Sequence, residues 1–191
     1  MIITITGTPG SGKSTVAKLV AERLGIRRFY MGQILRDLAR KEGVDVTTFL
    51  KSLEDDPERE REIDRRIQDI AQSGRDCIIE SRVAHALLDG AVSIFLDVDF
   101  DVGVERIFNE LKGKNARNEA YTNLEDAKQT TRDRLETDRK RYQALYGFDL
   151  LDRTQYDILI DTTDKRPDEV AAAIVAMIQK GVCPESWKNV Y

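Results

Sequence analysis

The chain has 191 residues, of which 34% are charged and 41% are hydrophobic, and its formal net charge is −4 at pH 7. This length fits one domain with a full hydrophobic core, and the acidic balance argues against nucleic acid as a partner, since nucleic-acid-binding domains are usually basic. No apolar run reaches about 18 residues, so we expect no membrane-spanning segment.

A glycine-rich loop follows the first predicted strand. Residues 2–6 form an apolar, β-branched run, and residues 15–22 have the apolar periodicity of a helix. Between them the sequence GTPGSGKS at residues 7–14 fits the G-x-x-x-x-G-K-[ST] pattern of a phosphate-binding P-loop, in the strand–loop–helix context that this motif requires. A chance glycine turn is the alternative. The predicted ATP-binding residues are Gly7, Thr8, Pro9, Gly10, Ser11, Gly12, Lys13, Ser14 and Thr15.

The residue types in this loop have physical reasons. Glycines without a Cβ let several backbone N–H groups point at a phosphate, and the N-terminus of the next helix adds its partial positive charge. Lys13 can reach the β- and γ-phosphates of ATP, so it is a predicted catalytic residue. The Ser14 hydroxyl can bind Mg²⁺.

A turn and an arginine follow the second predicted strand, residues 28–30. Gly32 allows a tight turn into a helix, which places Arg36 one turn inside that helix. Because ligands bind at the carboxyl ends of parallel strands, we expect Arg36 to lie at the active edge of the sheet and to bind a substrate.

The polar segment 41–73 is predicted to be a helical insert outside the core. Isoleucines recur in it at i, i+4 and i+7, which predicts an amphipathic helix at residues 58–71. Asp64 and Gln68 lie one turn apart on that helix and are candidates for binding the polar edge of a substrate base. A solvated helix face is the alternative for both residues.

A second arginine follows the third predicted strand, residues 76–80. We expect Arg82 to join Arg36 at the active edge, where two guanidinium forks would hold a second phosphate. Two surface salt bridges are the alternative.

A carboxylate near the P-loop is needed to complete a metal site. Glu80 ends the third strand and could hold Mg²⁺ together with Ser14, as a Walker-B acid does. Asp97, which ends the fourth predicted strand, is the rival. For Glu80, the alternative to metal binding is an ion pair with Arg82 or Lys13, and the two roles are compatible with each other.

A second polar segment, residues 110–141, is predicted to be a lid that closes over the substrates. An exposed basic loop at residues 112–118 precedes a charge-rich helix predicted at residues 124–146. Phosphoryl transfer needs positive charge on the moving phosphoryl group. A solvated helix with i,i+4 ion pairs is the alternative. The candidate catalytic arginines are Arg117, Arg132 and Arg134.

Apolar runs alternate with helical stretches along the whole chain. The predicted strands are residues 2–6, 28–30, 76–80, 92–97 and 156–161. This rhythm predicts an α/β fold of the P-loop NTPase type, in which a five-stranded parallel sheet lies between two layers of helices. The two polar segments are then inserts in a single domain.

The sequence resembles the nucleoside monophosphate kinases, and most closely the short, archaeal-type cytidylate kinases that also occur in some bacteria. The resemblance extends over nearly the whole chain. It rests on the P-loop, Tyr30-Met31-Gly32 with Arg36, Ile63-Asp64-Arg65-Arg66, Glu80-Ser81-Arg82, Arg141-Tyr142 with Tyr146-Gly147-Phe148-Asp149, and residues 156–163.

This resemblance implies a reaction in which ATP and CMP or dCMP give ADP and CDP or dCDP, with Mg²⁺ as cofactor. It implies that Arg36 and Arg82 bind the monophosphate and that Arg134 contacts the transferring phosphate. Residues 161–166 would pass near the adenine of ATP. Family members commonly have an aspartate at the position of Gln33, so its loss leaves Glu80 with more of the metal site.

Two other functions stay open from the sequence. One is a kinase for another small acceptor, such as AMP, UMP or shikimate. The other is a P-loop switch protein that binds a nucleotide and moves a partner, although Arg36 and Arg82 argue against it because such a protein needs no acceptor pocket. We expect a monomer whose partners are small nucleotides.

The two cysteines and the single histidine receive no catalytic role. Cys77 and Cys183 lack metal-ligand spacing, and the apolar run around Cys77 predicts a buried residue. Reduced cysteines and a first strand with no signal peptide before it fit a cytoplasmic protein. His85 lies just after the third strand and is assigned no function.

Overall fold

The structure, a computed structural model, describes residues 1–54, 56–112 and 121–180. A short 3₁₀ helix at Arg153–Gln155 precedes the last strand. Within the described ranges, no helix has the length and apolar character needed to cross a membrane. The elements in chain order are β1 Ile2–Gly7, α1 Lys13–Leu24, β2 Arg27–Tyr30, α2 Met31–Lys41, α3 Val46–Glu54, α4 Pro57–Gln72, β3 Cys77–Glu80, α5 Ala84–Leu87, β4 Val92–Asp97, α6 Phe100–Lys112, α7 Leu124–Tyr146, β5 Ile158–Asp161 and α8 Pro167–Gln179.

The strands form one parallel sheet in the order β2-β3-β1-β4-β5. The strand that precedes the P-loop, β1, is central, between β3 and β4. Because the strands all run in the same direction, the segments that follow them meet at one edge of the sheet. The predicted α/β fold is therefore confirmed, with β3 and β5 beginning slightly later than the sequence predicts.

Helices cover both faces of this sheet. Ile3 and Ile78 belong to one apolar cluster with α1 and α8, while Cys77 and Ile79 belong to a second cluster with α2, α3 and α4. Successive residues of β3 thus point to opposite faces, as in any strand. Both faces are covered, which explains why the strands are apolar almost throughout. The result is a three-layer α/β/α arrangement.

The segment 41–73 contributes to the core, so its predicted position outside the core is wrong. Phe49 and Leu53 of α3 and Ile63 and Ile67 of α4 are all buried. The amphipathic helix predicted at residues 58–71 is confirmed as α4. Its charged face dominates the composition, but a narrow apolar stripe is enough to pack it against the sheet layer.

The long helix predicted at residues 124–146 is confirmed as α7. Asn123 caps its first turn by accepting a hydrogen bond from the backbone N–H of Asp126 at 2.9 Å. Gly147 ends the helix with φ of 75°, in the left-handed region. The basic loop predicted before this helix lies outside the described residues from residue 113 onward, and Arg117 lies with it.

The P-loop and α6 pack backbone against backbone. A Cβ on Gly10, whose φ is 78°, would lie 2.1 Å from the carbonyl oxygen of Gly103. A Cβ on Gly103 would lie 2.6 Å from the carbonyl oxygen of Pro9 and 2.9 Å from a methyl group of Val98. This pair of glycines therefore sets the distance between the phosphate loop and α6.

Replacing Gly103 by alanine tests this contact. Helix propensity alone favours alanine over glycine by about 1 kcal/mol, but the clash with a backbone carbonyl of the P-loop should destabilise the fold by about 1–3 kcal/mol. The free energy of unfolding, measured in urea for the variant and for wild type, shows whether the substitution stabilises or destabilises the fold. Asn109→Ala, at an exposed position of the same helix, is the control and should change it by less than about 0.5 kcal/mol. A stabilised Gly103→Ala variant would contradict the packing described here.

Candidate active site

The P-loop lies at the carboxyl edge of the sheet, between β1 and the N-terminus of α1. Gly12 is the N-cap of α1, and its lack of a side chain means that it provides no side-chain cap to this helix. The Lys13 ammonium donates a hydrogen bond to the carbonyl oxygen of Thr8 at 2.6 Å, and the Ser11 hydroxyl donates to the same oxygen at 2.8 Å. A helix N-terminus and an ammonium held over the same loop are suited to binding an anion.

Glu80 lies directly beside this loop. The Ser14 hydroxyl donates a hydrogen bond to Glu80 Oε1 at 2.5 Å, and the guanidinium of Arg28 lies 3.1 Å from Glu80 Oε2. The carboxylate is only 5% exposed. Hydroxyl and carboxylate oxygens are the ligands that Mg²⁺ prefers, so this pair could hold a divalent cation.

The rival carboxylate, Asp97, lies at the opposite side of the loop. It accepts a hydrogen bond from the Thr8 hydroxyl at 3.2 Å and one from the Arg153 guanidinium at 2.8 Å. Asp97 therefore anchors the start of the P-loop, whereas the contact with Ser14 belongs to Glu80.

Arg82, which follows β3, makes an ion pair with Asp138 of α7. Asp138 also lies 3.5 Å from the guanidinium of Arg141, which in turn lies 3.9 Å from Glu60 of α4. Burial, together with the positive charges of Arg134 and Arg141, lowers the pKa of Arg82 to about 10. Arg82 is still charged at neutral pH, and its partly buried guanidinium is suited to a doubly charged anion.

The predicted base-binding residue Asp64 joins this cluster. The Tyr146 hydroxyl donates a hydrogen bond to Asp64 Oδ2 at 2.6 Å, and Asp64 is 8% exposed. Burial raises the pKa of Asp64, which the Tyr146 hydrogen bond and the charge of Arg141 partly offset. Gln68, one turn further along α4, is exposed. The structure thus brings Asp64, but not Gln68, to the buried network.

Arg36 lies on α2 beside the ring of Tyr30. Its guanidinium carbon is 5.0 Å from the ring centroid, and the guanidinium donates to Gln33 Oε1 at 3.1 Å. Gln33 also donates to Asp37 at 3.0 Å, so its amide is engaged along α2. The guanidinium of Arg28 lies 5.1 Å from the centroid of the same ring. Tyr30 thus holds two arginines near the end of β2.

The two described candidate catalytic arginines of the predicted lid differ in their surroundings. Both Arg132 and Arg134 are exposed on α7. Arg132 lies over the ring of Phe100, 4.8 Å from its centroid. The positive charge of Arg134 is one of the causes that lower the pKa of Arg82.

A cavity of about 210 Å³ adjoins the P-loop on the β5 side of the sheet. Its wall includes Gly12, Val16, Arg106, Thr162 and Pro167. The Arg106 guanidinium donates to the carbonyl oxygen of Thr162 at 3.0 Å, which fixes the segment after β5 against α6. This cavity can take a flat, mostly apolar group next to the loop.

His85 and Cys77 have structural positions. The His85 imidazole packs between the rings of Phe148 and Tyr156, with centroid distances of 4.9 and 4.5 Å, and burial lowers its pKa. Cys77 is buried, as predicted. Cys183 lies outside the described residues.

The sequence analysis assigns no role to four charged residues around the site: Arg28, Glu60, Asp138 and Arg141, although Arg141 lies in a segment that carries the family resemblance. For Asp138 and Arg141 a signal exists, because their i,i+3 spacing on a long helix places them on one face. No such signal exists for Arg28, since an arginine in a short strand is expected to be exposed to solvent.

The sequence matches the model of the cytidylate kinase-like family over residues 2–164. The cytidylate kinase of Methanopyrus kandleri is 33% identical over 189 residues, which covers 93% of each chain. The cytidylate kinase of Pyrococcus furiosus is 36% identical over 181 residues, which covers 93% of this chain and 88% of that protein.

Solved structures share the fold at lower identity. An uncharacterized protein from Eubacterium ventriosum superimposes with a TM-score of 0.67 at 20% identity, covering 94% of this chain and 98% of that one. The shikimate kinase of Acinetobacter baumannii gives a TM-score of 0.59 at 17% identity, with coverages of 94% and 93%. At this level of identity, these similarities show only that the three-layer P-loop kinase fold is shared.

Proposed function

The chain belongs to the cytidylate kinase-like family, and on that basis we propose that it transfers the γ-phosphoryl group of ATP to CMP or dCMP. One juxtaposition supports this most. Glu80 and Arg82 are two residues apart at the end of one strand. Glu80 contacts Ser14 at the start of α1, and Arg82 is paired with Asp138 in the cluster of arginines and carboxylates. A donor nucleotide and an acceptor phosphate can therefore meet at one point of the sheet edge.

The P-loop would bind the phosphates of ATP. Its N–H groups and Lys13 supply the positive field, and residues 7–15 surround the phosphate position. The adenine fits the adjoining cavity, where Val16 and Pro167 offer apolar surface and the segment after β5 offers backbone polar groups.

Mg²⁺ fits the donor set of Ser14 and Glu80. Both supply hard oxygens, and their oxygens already lie 2.5 Å apart. When bound, the ion would neutralise charge on the β- and γ-phosphates of ATP. Gln33 brings no charge to this site, so Glu80 supplies the carboxylate.

The acceptor would lie between α2, α4 and α7. Arg36 and Arg82 would hold the monophosphate, with Arg82 exchanging Asp138 for the phosphate oxygens. Asp64, oriented by the Tyr146 hydroxyl, can accept a hydrogen bond from the exocyclic amino group of cytosine, which uracil lacks. Gln68 would take part only if α4 turns its exposed face toward the base.

Catalysis in this site would be positional and electrostatic. An oxygen of the acceptor monophosphate attacks the γ-phosphorus in line, a P–O bond forms to it, and the P–O bond to ADP breaks. The attacking oxygen is already anionic, so no protein base is required. The residues' task is to hold two polyanions together and to exclude water.

Residues 41–73 would act as the acceptor-binding insert and residues 110–141 as the lid. Among Arg117, Arg132 and Arg134, we assign the contact with the transferring phosphoryl group to Arg134, because its charge acts on Arg82 while Arg132 lies against Phe100. We also propose that the enzyme is monomeric and that it is cytoplasmic. The free thiol of the buried Cys77 is compatible with a cytoplasmic location.

A coupled ADP-release assay with ATP, Mg²⁺ and a panel of acceptors tests this function. CMP or dCMP should give kcat/KM at least about tenfold above UMP, since a buried group that pairs with a substrate amino group rejects analogues without it. AMP and shikimate should be poorer still. Faster turnover of AMP or shikimate would assign another acceptor, and equal ADP release without any acceptor would point to a nucleotide switch.

Matched variants on α4 locate the base-binding group in the same assay. Asp64→Asn should raise KM for CMP by about tenfold and leave KM for ATP nearly unchanged, because the loss of a charged hydrogen-bond acceptor costs about 1.5 kcal/mol. Asp69→Asn, at an exposed position of the same helix, is the control. Equal effects of the two substitutions would place the base elsewhere.

The lid assignment has its own matched pair, Arg134→Ala and Arg132→Ala. Loss of a positive charge that acts on the transferring group should lower kcat at least about 100-fold in the first variant, with little change in KM for CMP. The second variant should stay within about threefold of wild type, since its guanidinium packs on a ring at the surface. A larger loss of kcat in Arg132→Ala would reverse the assignment.

A further inference from the structure

The two oxygens of the Glu80 carboxylate have different neighbours. Oε1 accepts the Ser14 hydrogen bond at 2.5 Å, and Oε2 lies 3.1 Å from the guanidinium of Arg28. The side chains of Arg28 and Glu80 are 21% and 5% exposed. Water screens such a pair much less than it screens a surface salt bridge.

The fold holds Arg28 in this position. In the ladder between β2 and β3, Arg28 is level with Ile78 and Tyr30 is level with Glu80. The Arg28 side chain therefore extends two residues along the sheet, past the Tyr30 ring, which lies 5.1 Å from its guanidinium carbon. Strand register and a cation–π contact thus position the guanidinium against Glu80.

The site offers few other negative groups to a divalent cation. The Gln33 side chain is uncharged and engaged with Asp37 and Arg36, and Asp97 is paired with Arg153. In the part of the chain that the structure describes, no three His, Cys, Asp or Glu residues are grouped to hold a metal ion. Proteins bind Mg²⁺ through one or two carboxylates plus substrate phosphates.

Arg28 and a divalent cation compete for the same carboxylate. Two positive charges a few ångströms apart in a shielded site repel each other strongly, whereas the phosphates of ATP add enough negative charge to hold both. We propose that Arg28 keeps Glu80 neutralised while no nucleotide is bound, so that the metal enters only as its complex with ATP. Metal binding at Ser14 and Glu80 is part of the proposed function, on which this inference rests.

Mn²⁺ binding without nucleotide, measured by electron paramagnetic resonance, tests this role directly. Arg28→Gln should bind Mn²⁺ at least about tenfold more tightly than wild type, because the competing charge is gone. Adding Glu80→Gln should abolish that gain. Arg27→Gln is the matched control, since the Arg27 guanidinium lies over Phe29, 5.0 Å from its centroid, and residue 27 is exposed.

Two further variants separate charge from packing. Arg28→Lys keeps the charge and should bind Mn²⁺ as weakly as wild type, while Arg28→Met removes the charge and should behave as Arg28→Gln; thermal unfolding of each variant reports whether it folds. Unchanged or weaker Mn²⁺ binding in the neutral variants, or tight binding in Arg28→Lys, would overturn the proposal. The assay contains no nucleotide, so its outcome is independent of whether CMP is the acceptor.

Discussion

The contact between Ser14, at the start of α1, and Glu80, at the end of β3, is the constraint on which the rest of the site depends. The P-loop leads into α1, and Arg82 follows β3 by two residues. One hydrogen bond of 2.5 Å therefore joins the part of the sheet edge that can hold a donor nucleotide to the part that can hold an acceptor phosphate. A shift of about an ångström between them would misalign an in-line transfer.

Around this contact, two arginines are already paired with carboxylates. Arg82 is paired with Asp138, and Arg28 with Glu80. Buried ion pairs of this kind add little net stability, because desolvation offsets their attraction. They do fix the guanidinium groups in place before a ligand arrives.

The parts that the sequence predicts well are encoded locally. The P-loop depends on the spacing of Gly7, Gly12 and Lys13, and the ends of α7 depend on neighbouring cap residues. The pair of Arg28 with Glu80 depends instead on strand register, which no local pattern displays. Likewise, the composition of residues 41–73 suggests a segment that is too polar for the core. Only a few of its side chains are apolar, but these few are enough to cover one end of the sheet.

A double-mutant cycle of Ser14→Ala and Glu80→Gln measures the central contact most directly. The dissociation constant of MgATP, determined by calorimetry for wild type, both single variants and the double variant, gives the coupling free energy. If the Ser14 hydroxyl and the Glu80 carboxylate act as one metal site, the losses of MgATP binding free energy in the two single variants should not add up to the loss in the double variant, with a difference of at least about 1 kcal/mol. Losses that add within about 0.3 kcal/mol would show that Ser14 and Glu80 act independently and would contradict the account.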